Sequence, residues 1–255
     1  MESGPLDALP LWGAFLAIVL LVLLSVEGGY RLGKYRSSRS AEKVEPVGAM
    51  VGATLGLLAF MLAFTFGLAA ERFNTRRMAV LDEANAIGTT YLRAGMLPDR
   101  RGEIRTLLRE YVDTRLEAVR SGNVAEGIRR SEEIQNELWA HATAIGERHP
   151  TSIVVGLFVQ SLNEVIDLHA VRVTVGVRNR IPAAIWLALF AVAVLSLASM
   201  GYYAGLSRTS RSVAELAAAA AFSVVIWLIA DLDRPQEGVL KVSQQALIDV
   251  RQSMQ

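Results

Sequence analysis

The chain has no cysteine. This excludes disulfides, thiol nucleophiles, iron–sulfur clusters and c-type haem attachment, without deciding the redox compartment. Histidine is scarce: His141, His149 and His169 are the three present. No HxxxH or HxH spacing joins them, so the pattern does not build a zinc site. Glycine-rich phosphate loops, nucleophile elbows and zincin motifs are also missing, and we expect neither catalysis nor a cofactor. A formal net charge of +1 gives no reason to expect nucleic acid. Lysine is nearly absent, since Lys34, Lys43 and Lys241 are its only positions among 26 basic residues. That bias fits a GC-rich bacterial genome.

What the chain does contain is apolar sequence. Hydrophobic residues make up 52% and charged residues 20%, so one chain serves two environments. Val47 to Ala70 carries no charge, and at about 1.5 Å per residue this stretch makes roughly 36 Å of helix, longer than a hydrocarbon core of about 30 Å. Gly48, Gly52 and Gly56 recur every four residues, and Ala59, Ala63, Gly67 and Ala70 continue the stripe, a face on which another helix can pack closely, within or between subunits. The other faces carry Leu57, Leu58, Phe60, Met61, Phe64 and Phe66, with Thr65 as a late hydroxyl.

Three further spans follow the same logic. A first anchor runs from about 10 to 26, beginning near Pro10 and lacking a small-x-small cleavage site, and a charged linker over 27–46 leads to the second span at about 47–70. Pro182 opens a third over 181–206, and a fourth covers 213–230 with one early charge, Glu215. The fold class is therefore an all-α integral membrane protein with four transmembrane helices. Residues 71–180 form a soluble helical bundle between the second and third spans, and 231–255 form a polar tail. Within the bundle the second span continues as helix to about Ala94. Ile104, Leu107, Leu108, Tyr111 and Val112 mark an amphipathic helix ending near Gly122, and Asn123 and Ser152 cap the next two. Val171 to Val177 reads as helix despite its β-branched residues. Arginines flank both faces of the spans, so charge bias does not assign the bundle to a side.

Glu71, Arg72 and Arg76 after the second span, and Asp231, Asp233 and Arg234 after the fourth, fall at one membrane boundary in this topology. Opposite charges there would clamp the two spans at a common depth, the alternative being an ion-coordinating ring. Asp82, Glu83 and Asn85 offer oxygen ligands or a solvated face. Arg101, Arg105 and Arg109 repeat every four residues, as an anion-attracting row or a neutralised surface.

The segments LLAFMLAFTFGLAAERFNTRR, ERFNTRRMAVLDEANAIGTTYLRAGMLP and LDRPQEGVLKVSQQALIDV, with Arg178 to Pro182 as a basic, proline-containing approach to the third span, resemble the bestrophins and, more closely, the bacterial bestrophin-like domain proteins. The resemblance spans nearly the whole chain. It implies a multi-pass protein of the bacterial inner membrane, a homo-oligomer in the lipid bilayer. It further implies an ion channel, selective for anions, whose second span lines a neck with Phe60, Phe64 and Thr65. Asp231, Asp233 and Glu237 replace a dense acidic calcium clasp, so it does not carry calcium gating over. The alternative function is a non-conducting, membrane-anchored interaction module acting through 71–180.

Overall fold

The computed structural model describes residues 9–39, 44–208, 213–234 and 238–254. Lys43, Glu237, residues 209–212 of the turn before the last span, and the first eight residues lie outside them. The regular elements among the described residues are eight helices and one π-helical turn: α1 (Leu11–Ser37), α2 (Val44–Ala94), α3 (Arg101–Ser121), α4 (Val124–Arg148), α5 (Ile153–Val173), the π turn (Thr174–Arg178), α6 (Ala183–Leu206), α7 (Val213–Asp233) and α8 (Gln245–Ser253). No strand occurs among the described residues. The β-branched run 171–177 is helical, its last part loosened into the π turn.

Among the described residues five helices are long and apolar enough to cross a membrane: α1, α2, α5 with its π turn, α6 and α7. This is one more than the four spans expected from the sequence, the addition being α5. Length and hydropathy do not distinguish a helix facing lipid from one packed in a protein core, and α5 meets both criteria. A second difference concerns the charged stretch after the first span. It is not a linker from its start, because α1 continues through Glu27, Arg31, Lys34 and Arg36 to Ser37, with Arg31 paired to Glu27 at 2.6 Å one turn apart.

The chain divides into two units. The first comprises Met1–Arg72 and Arg180–Leu240. Here α1 and α6 approach until backbones touch, through Gly29 and Gly33 on α1 and Gly201 and Gly205 on α6. A Cβ at these positions would meet the carbonyl oxygens of Ala198, Tyr202, Val26 and Tyr30 at 1.9, 2.1, 2.0 and 2.2 Å. Helices in lipid associate by this kind of close packing, because apolar area alone drives nothing there. Helix α7 joins α1 at the other end, where Trp227 donates to the Leu11 carbonyl at 3.3 Å and meets Phe15 edge-on. Ser196 on α6 donates to the Thr54 carbonyl of α2 at 2.9 Å.

The second unit comprises Phe73–Asn179 and Lys241–Gln255. Its core joins Ile87 and Tyr91 of α2, Ile104 and Leu108 of α3, Ile134, Leu138 and Ile145 of α4, and Phe158, Leu162 and Val165 of α5. Each such side chain, fully buried, contributes about 1.5–3 kcal/mol. Gly122 ends α3 in the left-handed conformation at φ 75°, Asn123 caps α4 and Ser152 caps α5. The C-terminal segment belongs to this unit. Leu247 and Met254 are in its core, Tyr91 donates to the Met254 carbonyl at 2.7 Å, and Arg251 grips Asp113 with two hydrogen bonds of 2.7 and 3.0 Å.

Candidate functional site

Three places hold the residues singled out from sequence. The first is the apolar part of α2. Gly48 packs on the Tyr203 ring, whereas Gly52, Gly56 and Gly67 have nothing near their absent side chains, and Ala59 and Ala63 are exposed. Phe60 and Phe64 are 67% and 58% exposed, with Leu57 beside them. Thr65 is fully buried and its hydroxyl donates to the Met61 carbonyl at 2.7 Å, so it does not share the face of the two phenylalanines. Within the first unit, the glycines that meet backbone are those of α1 and α6 rather than those of α2. The spacing Gly29-x₃-Gly33 and Gly201-x₃-Gly205 was the available signal.

The second place is the end of α7. Asp231, Asp233 and Arg234 are buried. Asp233 takes a hydrogen bond from Arg180 Nε at 3.2 Å and another from the Ile181 amide at 2.9 Å, fixing the approach to α6. Asp231 takes the amides of Val239 and Leu240 at 2.7 and 3.1 Å, turning the chain beyond α7. Arg234 donates to the Leu9 carbonyl at 2.8 Å. Glu71 is exposed, Arg72 is half-buried and Arg76 is buried, each with a partner. In the same unit a cleft of about 230 Å³ lies between α1 and α7, lined by Leu23, Glu27, Tyr30, Glu215 and Leu216 among others.

The third place surrounds Glu83, whose partners the sequence does not reveal. Glu83 is fully buried, while Asp82 and Asn85 face outward. The three therefore make neither a common ligand set nor a common solvated face, and no group of three metal-binding side chains occurs among the described residues. One Glu83 oxygen accepts from the Tyr111 hydroxyl at 2.8 Å and stands 3.3 Å from Arg115 Nε. The other is paired with Arg172, which also donates to the Gln244 side chain at 2.6 Å. His169 Nδ1 lies 3.0 Å from the Tyr111 oxygen, to which Gln135 also donates at 3.3 Å. Burial pushes the Glu83 carboxyl up, but the charges of Arg172 and Arg115 and the hydrogen bonds from Arg172 and Tyr111 bring it below its ordinary value. Burial and the adjacent Glu83 charge raise the Tyr111 phenol well above its usual range. Spacing along single helices does not reveal such a cluster, since its members come from α2, α3, α4, α5 and the C-terminal segment.

The arginine row on α3 is not a free cationic strip. Arg101 is exposed, Arg105 lies over the Tyr91 ring at 4.1 Å and Arg109 turns back to the Arg105 carbonyl at 3.2 Å. His141 and His149 are at the surface, near Glu103 and Asp99 at 3.6 and 3.2 Å.

No match is found among curated protein sequences. Two crystal structures, each described as that of a membrane protein, share the fold. One is 16% identical, with a TM-score of 0.64 over 94% of this chain and 95% of the other. The second is 14% identical, with a TM-score of 0.64 over 96% and 97%. Residues 13–247, reaching from α1 into α8, match the Bestrophin-like domain family. With this match over most of its length and an all-helical, membrane-protein fold, the chain belongs to the bestrophin-like family.

Proposed function

We propose that this protein is a homo-oligomeric ion channel of a bacterial inner membrane, conducting anions along an axis lined by the apolar part of α2. The observation that carries the reading is how little of that helix its own chain covers. Gly52, Gly56, Leu57, Ala59, Phe60, Ala63 and Phe64 are all exposed, while α1 is held to α6 by glycine notches. Lipid could cover this stretch. It would not cover Met78 and Leu81, which are exposed on the same helix past Arg72, Arg76 and Arg77, whereas a second copy of α2 would.

In this reading α1, α2, α6 and α7 span the membrane and α5 does not. Its apolar side is spent on the core shared with α3 and α4. Those helices carry exposed Arg129 with Glu126 and Glu133, and Arg130 with Glu110, which a bilayer interior would exclude. Around an oligomer axis, Phe60 and Phe64 would form an apolar constriction that closes by emptying of water. The arginines at the end of the apolar stretch favour anions over cations.

Light scattering coupled to size exclusion should give several subunits per particle, and Gly52→Leu should weaken assembly. Chloride and potassium flux from proteoliposomes should rise with Phe60→Ser or Phe64→Ser. A monomer, or an intact oligomer that stays tight in every version, would leave the non-conducting interaction module acting through 71–180 as the function.

A further inference from the structure

Hydrogen-bond accounting assigns the proton on His169. The Tyr111 hydroxyl has one proton, and a carboxylate can only accept, so that proton lies on the 2.8 Å bond to Glu83. The tyrosine oxygen, 3.0 Å from His169 Nδ1, must then accept there. His169 is therefore the Nδ1–H tautomer. Its Nε2 carries a bare lone pair, buried, with no partner among the described residues. The charged and titratable groups around the ring are Glu83 from α2, Tyr111 and Arg115 from α3, and Arg172 one turn further along α5. Gln135 of α4 and Gln244 beyond α7 complete the network without charge.

A proton added at Nε2 would find no acceptor. It would also make a third cation, beside Arg115 and Arg172, around a single carboxylate whose oxygens are already engaged. We propose that His169 is an acid-operated release for the junction between α5 and α2 in the second unit: protonation at Nε2 frees α5 from Glu83. This device needs no conduction, but it rests on the reading that α5 lies outside the membrane. Burial and the Arg115 charge lower the His169 pKa from 6.5 to about 4 while the junction is closed. An opened junction, with the ring in water, binds the proton near 6.5. Linkage then favours the open form by a factor that grows to about 30 at pH 5 and about 150 at pH 4.

The test uses the full-length protein in proteoliposomes. With three histidines in the chain, solid-state ¹⁵N spectra of histidine-labelled protein can be assigned by single substitutions. At pH 7 the His169 signals should be those of a neutral ring with a bare Nε2, and Tyr111→Phe should remove the Nδ1 hydrogen bond. Hydrogen exchange of the amides from Ile166 to Val171, divided by the intrinsic rate, should rise about 15-fold between pH 6.5 and 5, and His169→Gln should flatten that rise. A proton on Nε2 at pH 7 would overturn the assignment without any variant. The same acid response in His169→Gln would overturn the release and move it to another group.

Discussion

Gly28 and Gly29 are adjacent on α1 and differ in one respect. A Cβ on Gly28 meets nothing within 4 Å, whereas one on Gly29 would be 1.9 Å from the Ala198 carbonyl oxygen. Alanine at Gly28 should therefore leave packing untouched and gain the helix preference of alanine over glycine, about 0.5–1 kcal/mol. Alanine at Gly29 makes the same gain but forces α1 and α6 apart. Ordinary contact begins at 3.4 Å, so the helices must separate by about 1.5 Å, and because the obstructing atom is backbone no rotamer change relieves it. Overpacking of this kind costs typically 1–3 kcal/mol. We take the upper end, since the Gly33, Gly201 and Gly205 approaches would be disturbed together. The two variants should differ by about 3 kcal/mol, with Gly29→Ala the less stable. Stepwise unfolding of purified protein in mixed micelles, followed by helical circular dichroism, reads the difference directly. Equal unfolding midpoints for Gly28→Ala and Gly29→Ala would refute the close approach of α1 and α6.

Glu83→Gln keeps the volume but leaves Arg115 and Arg172 buried without their carboxylate, and should destabilise the second unit by about 3–5 kcal/mol in a denaturant titration. Asp233→Asn should loosen the approach to α6, seen as faster exchange of the Ile181 amide that Asp233 holds at 2.9 Å. Acid should weaken the second unit. Because the His169 pKa falls from 6.5 unfolded to about 4 folded, the unfolded state binds the extra proton in that window. Stability is then full above pH 6.5 and declines by about 3 kcal/mol towards pH 4. Glu83, whose folded pKa is also lowered, adds a further loss with the same sign as pH falls through that value. A flat stability profile from pH 7 to 4 would contradict the His169 contribution.

Much of this architecture follows from local pattern. A run without charge from Val47 to Ala70, the periodic apolar residues of α3, and the caps at Asn123 and Ser152 each act over a few residues, so helix type and placement are legible before folding. Sequence alone likewise established that one chain carries both apolar spans and a charged helical part, because composition over long windows averages out tertiary detail. Only the tertiary structure decided which small residues meet. Gly52 and Gly56 of α2 have the same four-residue spacing as the glycines of α1 and α6, but the first pair faces open space and the others a backbone carbonyl. It also decided the fate of Glu83. Between two polar neighbours on an exposed-looking helix it reads as solvated, yet α2 is rotated so that Glu83 points into the core while Asp82 and Asn85 do not. Tyr111, Arg115, His169 and Arg172 join it from elements up to 89 positions away. Burying a charge requires partners converging in three dimensions, and no periodicity along a single helix encodes that convergence.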